Sequence, residues 1–326
     1  MIKKIPTLFL LLSALVFLSS CDDIFNPKGE YDERYALNCI IRSDTMFQVA
    51  TAYKSYNVSG IDPYENTTDS FIDGVFLRMW NGDDLYVFRD STMERPPGSR
   101  YDTPIKYYYI DEYIPSPGDK LEIEALLPNG RRLRSFTTIP SEVRKNFQNC
   151  DNTIPSDDKN FIRVEWIPNE VGQVFMPTMN IFYYKLENGQ KIRHLKIVPW
   201  ELVLQNGVEK EIQPYPSKAS YVDFKMELID RAMKEISGDD PAKENYIILT
   251  AIIDLLVFDR NLSGYYSSVA SVSDEFSIRL DEIDFSNIDG GFGVFGSYFK
   301  QKFVLFFDKL YIESFGYIDG IDNYAN

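Results

Sequence analysis

The chain has 326 residues, of which 44% are hydrophobic and 15% aromatic, so it can bury a sizeable core and is not an intrinsically disordered protein. Its formal charge is -15 at pH 7 and no Lys/Arg stripe is present, which argues against nucleic acid as a partner. The 22 Tyr and 23 Phe suit half-buried pleated surfaces and favour a mostly β protein.

The first 20 residues have the features of a secretory signal peptide. Lys3 and Lys4 give a basic start, the apolar run 8–18 follows, and two serines precede Cys21. The run is shorter than the roughly 20 residues of a membrane-spanning helix, and no comparable stretch follows it. We therefore predict that residues 1–20 are a signal peptide.

The residues around Cys21 predict a membrane anchor. The segment 18–21, Leu-Ser-Ser-Cys, resembles a bacterial lipobox, in which a signal peptidase cuts before the cysteine and the cysteine is lipidated with palmitate or a similar chain. Residues 21–34 then form a polar leash, and Asp22 and Asp23 resemble the acidic signal that exports lipoproteins of Bacteroidota to the cell surface. We predict an outer-membrane lipoprotein that faces the exterior. The alternatives are an ordinary secretory signal that happens to be followed by a cysteine, and an acidic start that carries no export signal.

Cys39 and Cys150 are the only other cysteines. In an exported protein they could form one disulfide, and closing a loop of about 100 residues would stabilise the fold by on the order of 4 to 5 kcal/mol. Two unrelated buried thiols are the alternative that the sequence leaves open.

Four Asn-Gly pairs predict β-hairpins. Each lies between runs rich in β-branched and aromatic residues, and Asn and Gly tolerate the positive φ that tight hairpin turns need. They are Asn81-Gly82, Asn129-Gly130, Asn188-Gly189 and Asn206-Gly207. Hairpins in turn predict antiparallel sheets.

We predict two antiparallel β-sandwich domains on either side of a polar break. Residues 35–145 have short strands at the spacing of an immunoglobulin-like sandwich. Residues 146–326 begin with a strand that carries Val164 and Trp166 on one face and looks like the second strand of a fibronectin type III module.

One segment of the second domain has helical periodicity. Its apolar residues recur at spacings of three and four, and Gly238 supplies a C-terminal stop. They are Val222, Met226, Ile229, Met233 and Ile236. We predict an amphipathic helix inserted in this domain. The apolar run 245–258 that follows predicts a long buried strand, although its even hydrophobicity also allows a helix.

The sequence favours a protein that is not an enzyme. His194 is the only histidine, and its place inside a hairpin strand favours cross-strand packing over general-base catalysis. No Ser-His-Asp, Cys-His or H-E-x-x-H arrangement rises above coincidence. The acidic clusters 238–240, 281–284 and 319–322 lack the spacing of a calcium loop. We predict no catalytic residue, metal or cofactor; a carboxylate-based hydrolase is the least favoured alternative.

The segment 286–298 contains the spacing G-x-G-x-x-G at Gly291, Gly293 and Gly296. A dinucleotide site needs a strand before these glycines and a helix after them. Here a polar, acidic stretch precedes them and a strand-like aromatic stretch follows. We therefore predict a tight structural turn rather than a phosphate-binding loop.

This segment resembles the closing motif of domain-of-unknown-function family 4249, outer-membrane lipoproteins of Bacteroidota. The residues that carry the resemblance are Ser286, Asn287, Ile288, Gly290, Gly291, Gly293, Val294 and Phe295. The lipobox, the strand ending in Thr-Ile-Pro and the Val-Glu-Trp strand extend it over about residues 30 to 305. Such proteins are often encoded with TonB-dependent transporters, and the resemblance implies no catalytic residue.

The function predicted from these features is that of a surface-exposed binding or accessory protein that works with a TonB-dependent transporter. A structural or adhesive surface protein is the alternative. Aromatic side chains near the first hairpin and on a tyrosine-rich strand are candidate ligand contacts, since aromatic faces stack on sugars and bases. They are Trp80, Tyr86, Tyr107, Tyr108 and Tyr109. The alternative for most of them is core packing.

Overall fold

A computed structural model describes residues 31–58, 60, 62–156, 159–270 and 285–320. The predicted signal peptide, the lipidation site Cys21, most of the leash and the acidic cluster 281–284 lie outside these residues.

The described chain is mostly β, which confirms the prediction from composition. The strands are β1 Tyr35–Arg42, β2 Gln48–Lys54, β3 Phe76–Asn81, β4 Asp84–Val87, β5 Arg89–Met93, β6 Ile105–Ile110, β7 Lys120–Leu126, β8 Arg132–Thr138, β9 Arg144–Lys145, β10 Thr153–Ile154, β11 Phe161–Ile167, β12 Phe175–Glu187, β13 Gln190–Val198, β14 Glu201–Gln205, β15 Val208–Ile212, β16 Tyr221–Lys225, β17 Tyr246–Phe258, β18 Phe295–Phe307 and β19 Ile318–Asp319. The helices are α1 Met226–Ser237, α2 Arg260–Ala270 and α3 Lys309–Ser314, with single 3-10 turns at Pro63–Glu65 and Lys243–Asn245.

All four Asn-Gly pairs lie at turns between paired antiparallel strands. At Asn188-Gly189 and Asn206-Gly207 both residues have a positive φ, as a two-residue hairpin turn requires. At the other two turns only the glycine has a positive φ. The hairpin prediction is confirmed, because the turn chemistry is local.

The three small sheets are antiparallel, but the largest sheet, which contains the Asn188-Gly189 hairpin, is mixed. Three small sheets have the orders β4-β3-β7-β8, β16-β11-β9 and β14-β15. A ten-stranded sheet runs β13-β12-β17-β18-β1-β2-β6-β5, with β10 beside β18 and β19 beside β17. Its β1–β18, β10–β18 and β17–β19 pairs are parallel. The sequence predicted antiparallel pairing alone, because hairpins report only on neighbours along the chain.

The buried apolar residues form two main clusters. One lies between the four-stranded sheet and strands β1, β2 and β6, and includes Leu37, Leu77 and Phe295. The other lies between α1, β11 and β16 on one side and β12, β17 and β18 on the other, and includes Trp166 and Phe224. The ten-stranded sheet continues from one cluster to the other, across the predicted boundary at residues 145 and 146, and the division into two domains stays a prediction.

The predicted helical segment is part strand and part helix. Helix α1 begins at Met226 and is followed by Gly238, which has a φ of 53°. Val222 instead lies in β16, opposite Val164 of β11. Apolar and polar residues alternate in this strand, and this alternation is typical of a strand with one buried face. The spacing of Val222 from Met226 also fitted a helix, so the pattern alone did not separate the two structures.

The cysteines are free thiols, so the disulfide that the sequence allowed is not present between Cys39 and Cys150. Cys39 lies in β1, inside the first cluster. Cys150 lies at the second cluster, where its sulfur accepts a hydrogen bond from the Glu165 N–H at 3.1 Å. The two thiols therefore belong to different cores.

Candidate ligand-binding groove

The Gly-rich segment joins β1 and β8 to β18 by close backbone contact. The Leu37 and Cys39 N–H groups donate to the carbonyls of Phe292 and Val294, both at 2.9 Å. Gly293 has a φ of +107°, and a Cβ there would clash with the Leu37 carbonyl oxygen. Glycine is required because any side chain would push the two strands apart.

Other residues of the segment hold the same turn. The Asn287 side chain accepts from the Phe295 N–H at 2.9 Å and donates to the Phe295 carbonyl at 2.7 Å. A Cβ at Gly291 would lie 2.6 Å from the Tyr35 carbonyl oxygen. Ile288 is buried in the first core, and the Ser286 hydroxyl accepts from the Ile288 N–H at 3.4 Å. The segment leads into a strand and not into a helix, which leaves no helix N-terminus for a phosphate.

The turn positions β18 beside the start of α2, where Asp259 is buried. The Asp259 side chain accepts from the Leu262 N–H at 2.8 Å and therefore caps the helix N-terminus. The Thr137 hydroxyl of β8 donates to its other oxygen. Burial raises the pKa of Asp259 to about 6, against the opposing effect of these hydrogen bonds.

An open groove of about 570 Å³ lies over Asp259. It is formed by the end of β8 and the chain after it, the segment 169–173 and the start of α2. Its lining residues are Gly118, Phe136, Thr137, Thr138, Ile139, Pro140, Ser141, Asn169, Glu170, Gln173, Asp259, Arg260 and Asn261. A second groove of about 440 Å³ adjoins it and shares Glu170, Gln173, Arg260 and Asn261. We call the two together the junction groove.

Amide side chains fix the walls of the junction groove. Asn261 donates to the carbonyls of Phe136 at 2.9 Å and Phe295 at 3.0 Å, and so ties α2 to β8 and β18. Asn169 donates to the carbonyls of Ser141 at 3.1 Å and Glu142 at 3.2 Å. These amide groups are already paired, so they shape the groove and leave other groups to meet a ligand.

Among the described residues, the groups that the groove offers to a ligand include one cation, one anion and two apolar side chains. Within the described part of the chain, the side chains of Arg260 and Glu170 form no hydrogen bond or ion pair, and both are exposed. Phe136 and Val171 project at the rims, 77% and 105% exposed. The groove can therefore bind a ligand that has both a charged group and apolar surface.

The five aromatic residues predicted as ligand contacts do not come together. Trp80 faces outward on β3, whereas Tyr86 packs on Tyr113 with ring centroids 4.8 Å apart. Tyr107 and Tyr109 cluster with Phe47 on a different surface, near the β5 end of the large sheet. None of the five lines the junction groove.

Tyr108 is a core residue, contrary to the prediction that it contacts a ligand. It is 2% exposed, and its hydroxyl donates to the Ile72 carbonyl at 2.6 Å and accepts from the Val75 N–H at 3.1 Å. Successive side chains of a strand point to opposite faces, so Tyr108 points inward where Tyr107 and Tyr109 point out.

His194 and the acidic cluster 238–240 have structural surroundings, whereas the cluster 281–284 and residues 321 and 322 of the third cluster lie outside the described residues. His194 stacks on Tyr183 across the β12–β13 hairpin, with ring centroids 5.4 Å apart. Asp240 accepts from the Ala242 N–H at 3.0 Å and from the Tyr246 hydroxyl at 2.9 Å. Among the described residues, no group of three or more His, Cys, Asp or Glu side chains is placed to hold a metal ion. No helix in the described ranges is long and apolar enough to cross a membrane.

Sequence reasoning missed the residues that form the junction groove. The one local signal was Asp259, which stands between a long apolar run and the segment that becomes α2 and so has the place of a helix N-cap. Thr137 and Asn261 carried no signal, because their roles depend on strands that are distant in sequence.

No protein-family model matches the chain, and no curated protein matches it either. The family resemblance of the segment 286–298 therefore stays a prediction that rests on the residues themselves.

Proposed function

We propose that this protein is a lipid-anchored binding protein of the outer-membrane surface that works as an accessory of a TonB-dependent transporter. The junction groove carries this proposal. It offers a ligand the exposed side chains of Arg260, Glu170 and Phe136, while the buried carboxyl of Asp259 serves as a helix cap. Such a site is suited to capture rather than to turnover.

The proposed lipid anchor and cell-surface location rest on the residues of the amino terminus. Cys21 after a short apolar run, with Asp22 and Asp23 directly behind it, provides the lipid and the export signal. The described chain is already bonded to the fold at Tyr31, whose hydroxyl donates to the Ser55 carbonyl, so about 10 residues separate the lipid from the fold and could span roughly 33 Å when extended. That reach lets the groove approach a neighbouring membrane protein.

We further propose that the two cores correspond to an immunoglobulin-like and a fibronectin type III-like sandwich, with α1 inserted in the second. The first cluster lies between two sheets, as sandwich cores do. In the second, α1 covers part of the sheet through buried residues such as Ile229 and Met233.

Site-specific photo-cross-linking in the native outer membrane tests the accessory role. A photoreactive amino acid at Val171, on the rim of the groove, should capture a TonB-dependent transporter identified by mass spectrometry. The matched control is Leu310 in α3, which is 74% exposed and lies beyond the opposite end of β17 and β18. Capture from Val171 and not from Leu310 supports docking through the groove.

A Cys21→Ala variant separates anchoring from docking. It should lose palmitate labelling and transporter capture together, because the protein no longer reaches the membrane. Capture of no transporter from Val171 in the correctly anchored protein would reject the accessory role.

An adhesive role has one observation in its favour. On the outward face of the large sheet, Ile197, Ile252 and Val304 lie in one row that is interrupted by Asn180, whose buried amide donates to Asp254 at 2.8 Å, and Ile197 and Val304 are 43% and 44% exposed. Apolar sheet faces of this kind mark contact surfaces. If the protein is adhesive, Val304→Asp should reduce aggregation of cells that display it, whereas Val208→Asp on the β14–β15 hairpin should not.

A further inference from the structure

The outward face of the four-stranded sheet carries an excess of positive charge in an acidic protein. Alternate residues of β3, β7 and β8 point away from the first core, and they pair across the strands as Arg78, Glu124 and Arg134 and as Trp80, Glu122 and Phe136. Lys120 and Arg132 share this face. Its four cations face two carboxylates, in a chain whose formal charge is -15.

One buried carboxylate organises three guanidinium groups on this face. Glu124 is 2% exposed and forms ion pairs with Arg78, Arg132 and Arg134. A single carboxylate balances one of these three positive charges, so the other two are available to pair with an anionic ligand. Arg132 is the loosest member, since its Nη1 lies 3.4 Å from the carboxylate and its side chain is 55% exposed.

Aromatic rings flank the cations. The Arg78 guanidinium lies between Phe76 and Trp80, 4.9 and 5.0 Å from the ring centroids. Its Nε–H is buried without an acceptor among the described residues. Phe136 is 77% exposed, and an open groove of about 490 Å³ runs between Trp80 and Phe136, with Lys120 and Glu122 also in its lining.

We propose that this face binds an acidic polysaccharide. Phe136 and Trp80 lie two strands apart, about 10 Å, and present flat apolar surface on which sugar rings can stack. Arg132, Arg134 and Lys120 pair with the carboxylate or sulfate groups of the same chain. The inference rests neither on the lipid anchor nor on a transporter.

The shape of the face favours a polysaccharide over an acidic peptide. The side chains of the site project from the face of the sheet, and a peptide that adds a strand would need the backbone edge of β8, which is the edge strand here. The β8 backbone edge is in part already paired, since Arg134 and Asp289 exchange backbone hydrogen bonds of 3.0 and 2.7 Å.

Affinity electrophoresis of the full-length protein tests the proposal. Native gels contain polygalacturonate for carboxylates, heparin for sulfates, dextran as a neutral sugar chain, or polyglutamate as an acidic polypeptide. We expect retention by polygalacturonate or heparin, and the stronger of the two identifies the acidic group. Phe136→Ala and Arg132→Gln should each weaken binding about tenfold, while Phe136→Trp should keep it.

The matched control is Arg89→Gln. This change removes the same charge from another exposed arginine that also lies over an aromatic ring, Tyr109, outside this face. Thermal melts establish that each variant is folded. The proposal is overturned if the wild type is retained by neither acidic polysaccharide, if dextran retains it equally, or if Arg89→Gln weakens binding as much as Arg132→Gln. Equal retention by polyglutamate with the same dependence on Phe136 would also overturn it, in favour of an acidic protein partner.

Discussion

The hydroxyl of Thr137 donates a hydrogen bond to the carboxyl of Asp259, a residue 122 positions further along the chain. Thr137 belongs to β8 of the four-stranded sheet, and Asp259 precedes α2. This contact ties the two sides of the junction groove together at its floor. Because the carboxyl is buried and its pKa is raised to about 6, the tie is sensitive to protonation near physiological pH.

Replacing Asp259 with Asn should flatten the pH dependence of stability. The folded pKa of about 6 lies above the ordinary value of 3.8, so the stability that this group contributes is full below about pH 4 and is lost as the pH rises through 6. Asn keeps the helix cap but does not ionise. Relative to wild type, Asp259→Asn should gain up to about 3 kcal/mol of unfolding free energy between pH 4 and pH 8 in urea titrations.

The control for this experiment is Asp240→Asn. Hydrogen bonds from the Ala242 N–H and the Tyr246 hydroxyl lower the pKa of Asp240 below 3.8, so its contribution is lost only as the pH falls below about 4. This variant should therefore run parallel to wild type from pH 5 to pH 8. A parallel profile for Asp259→Asn over the full range from pH 4 to pH 8 would contradict the role given to the buried carboxyl.

Gly293→Ala should destabilise the protein by more than about 3 kcal/mol or prevent folding, because the new Cβ would clash with the Leu37 carbonyl in addition to straining a positive φ. Gly207→Ala is the matched control. Gly207 also has a positive φ, of 77°, but its Cβ would meet nothing within 4 Å, so a loss of about 1 kcal/mol is expected. The urea midpoints measure both losses, and equal values would show that β1 and the Gly-rich turn do not pack closely.

The two thiols should differ in reactivity. Cys39 is 2% exposed and burial raises its pKa, whereas Cys150 is only half-buried. In the native protein at neutral pH, iodoacetamide should label Cys150 slowly and Cys39 only after urea is added. Peptide mass spectrometry gives both rates without a reductant. If neither cysteine is labelled in urea until a reductant is present, the two form a disulfide.

Glu124→Gln should cost about 2 to 4 kcal/mol, because it leaves three guanidinium groups around a neutral amide. Burial raises the pKa of Glu124, but hydrogen bonds from Arg134 and Arg78 outweigh it and hold the pKa below 4.5. The carboxylate's contribution is therefore present above about pH 4.5 and lost as the pH falls below it.

Arg132→Gln is the comparison for Glu124→Gln and should cost less than about 1 kcal/mol, since this arginine is more than half exposed. Chemical unfolding at pH 7 measures both variants. Similar losses in the two would mean that the buried carboxylate does not organise the cluster.

Local chemistry made part of the fold predictable. The turns at Asn188-Gly189 and Asn206-Gly207 depend on two residues that tolerate a positive φ, and these residues stand side by side in the sequence. Most of α1 was visible in its apolar spacing from Met226 onward. The even hydrophobicity of 245–258 belongs to a strand, β17, that has one buried face and one half-buried face over its middle.

The remaining features depend on contacts between distant residues. The parallel pairing that places Cys39 beside Phe295 has no signature in either strand. Helix α2 contains Gly264, three serines and two adjacent tyrosines, so its propensity is low, and it forms because Asp259 caps it and Leu262 is buried beneath it. The junction groove was invisible in the sequence for the same reason, since its floor joins Thr137 to Asp259.

The parallel pairing of β1 with β18 has a consequence for how the chain is made. Asn38 of β1 contacts Val294, the residue before β18, 256 positions later. At about 5 to 20 residues per second, a ribosome needs roughly 13 to 50 s to supply that partner. During this interval β1 can pair with β2 on one side only, and its other edge is open to strands of other chains. A chain truncated before β18 would therefore keep an open strand edge on β1 rather than form half of a working protein, and a holding chaperone is needed for as long as β18 is missing, including during export.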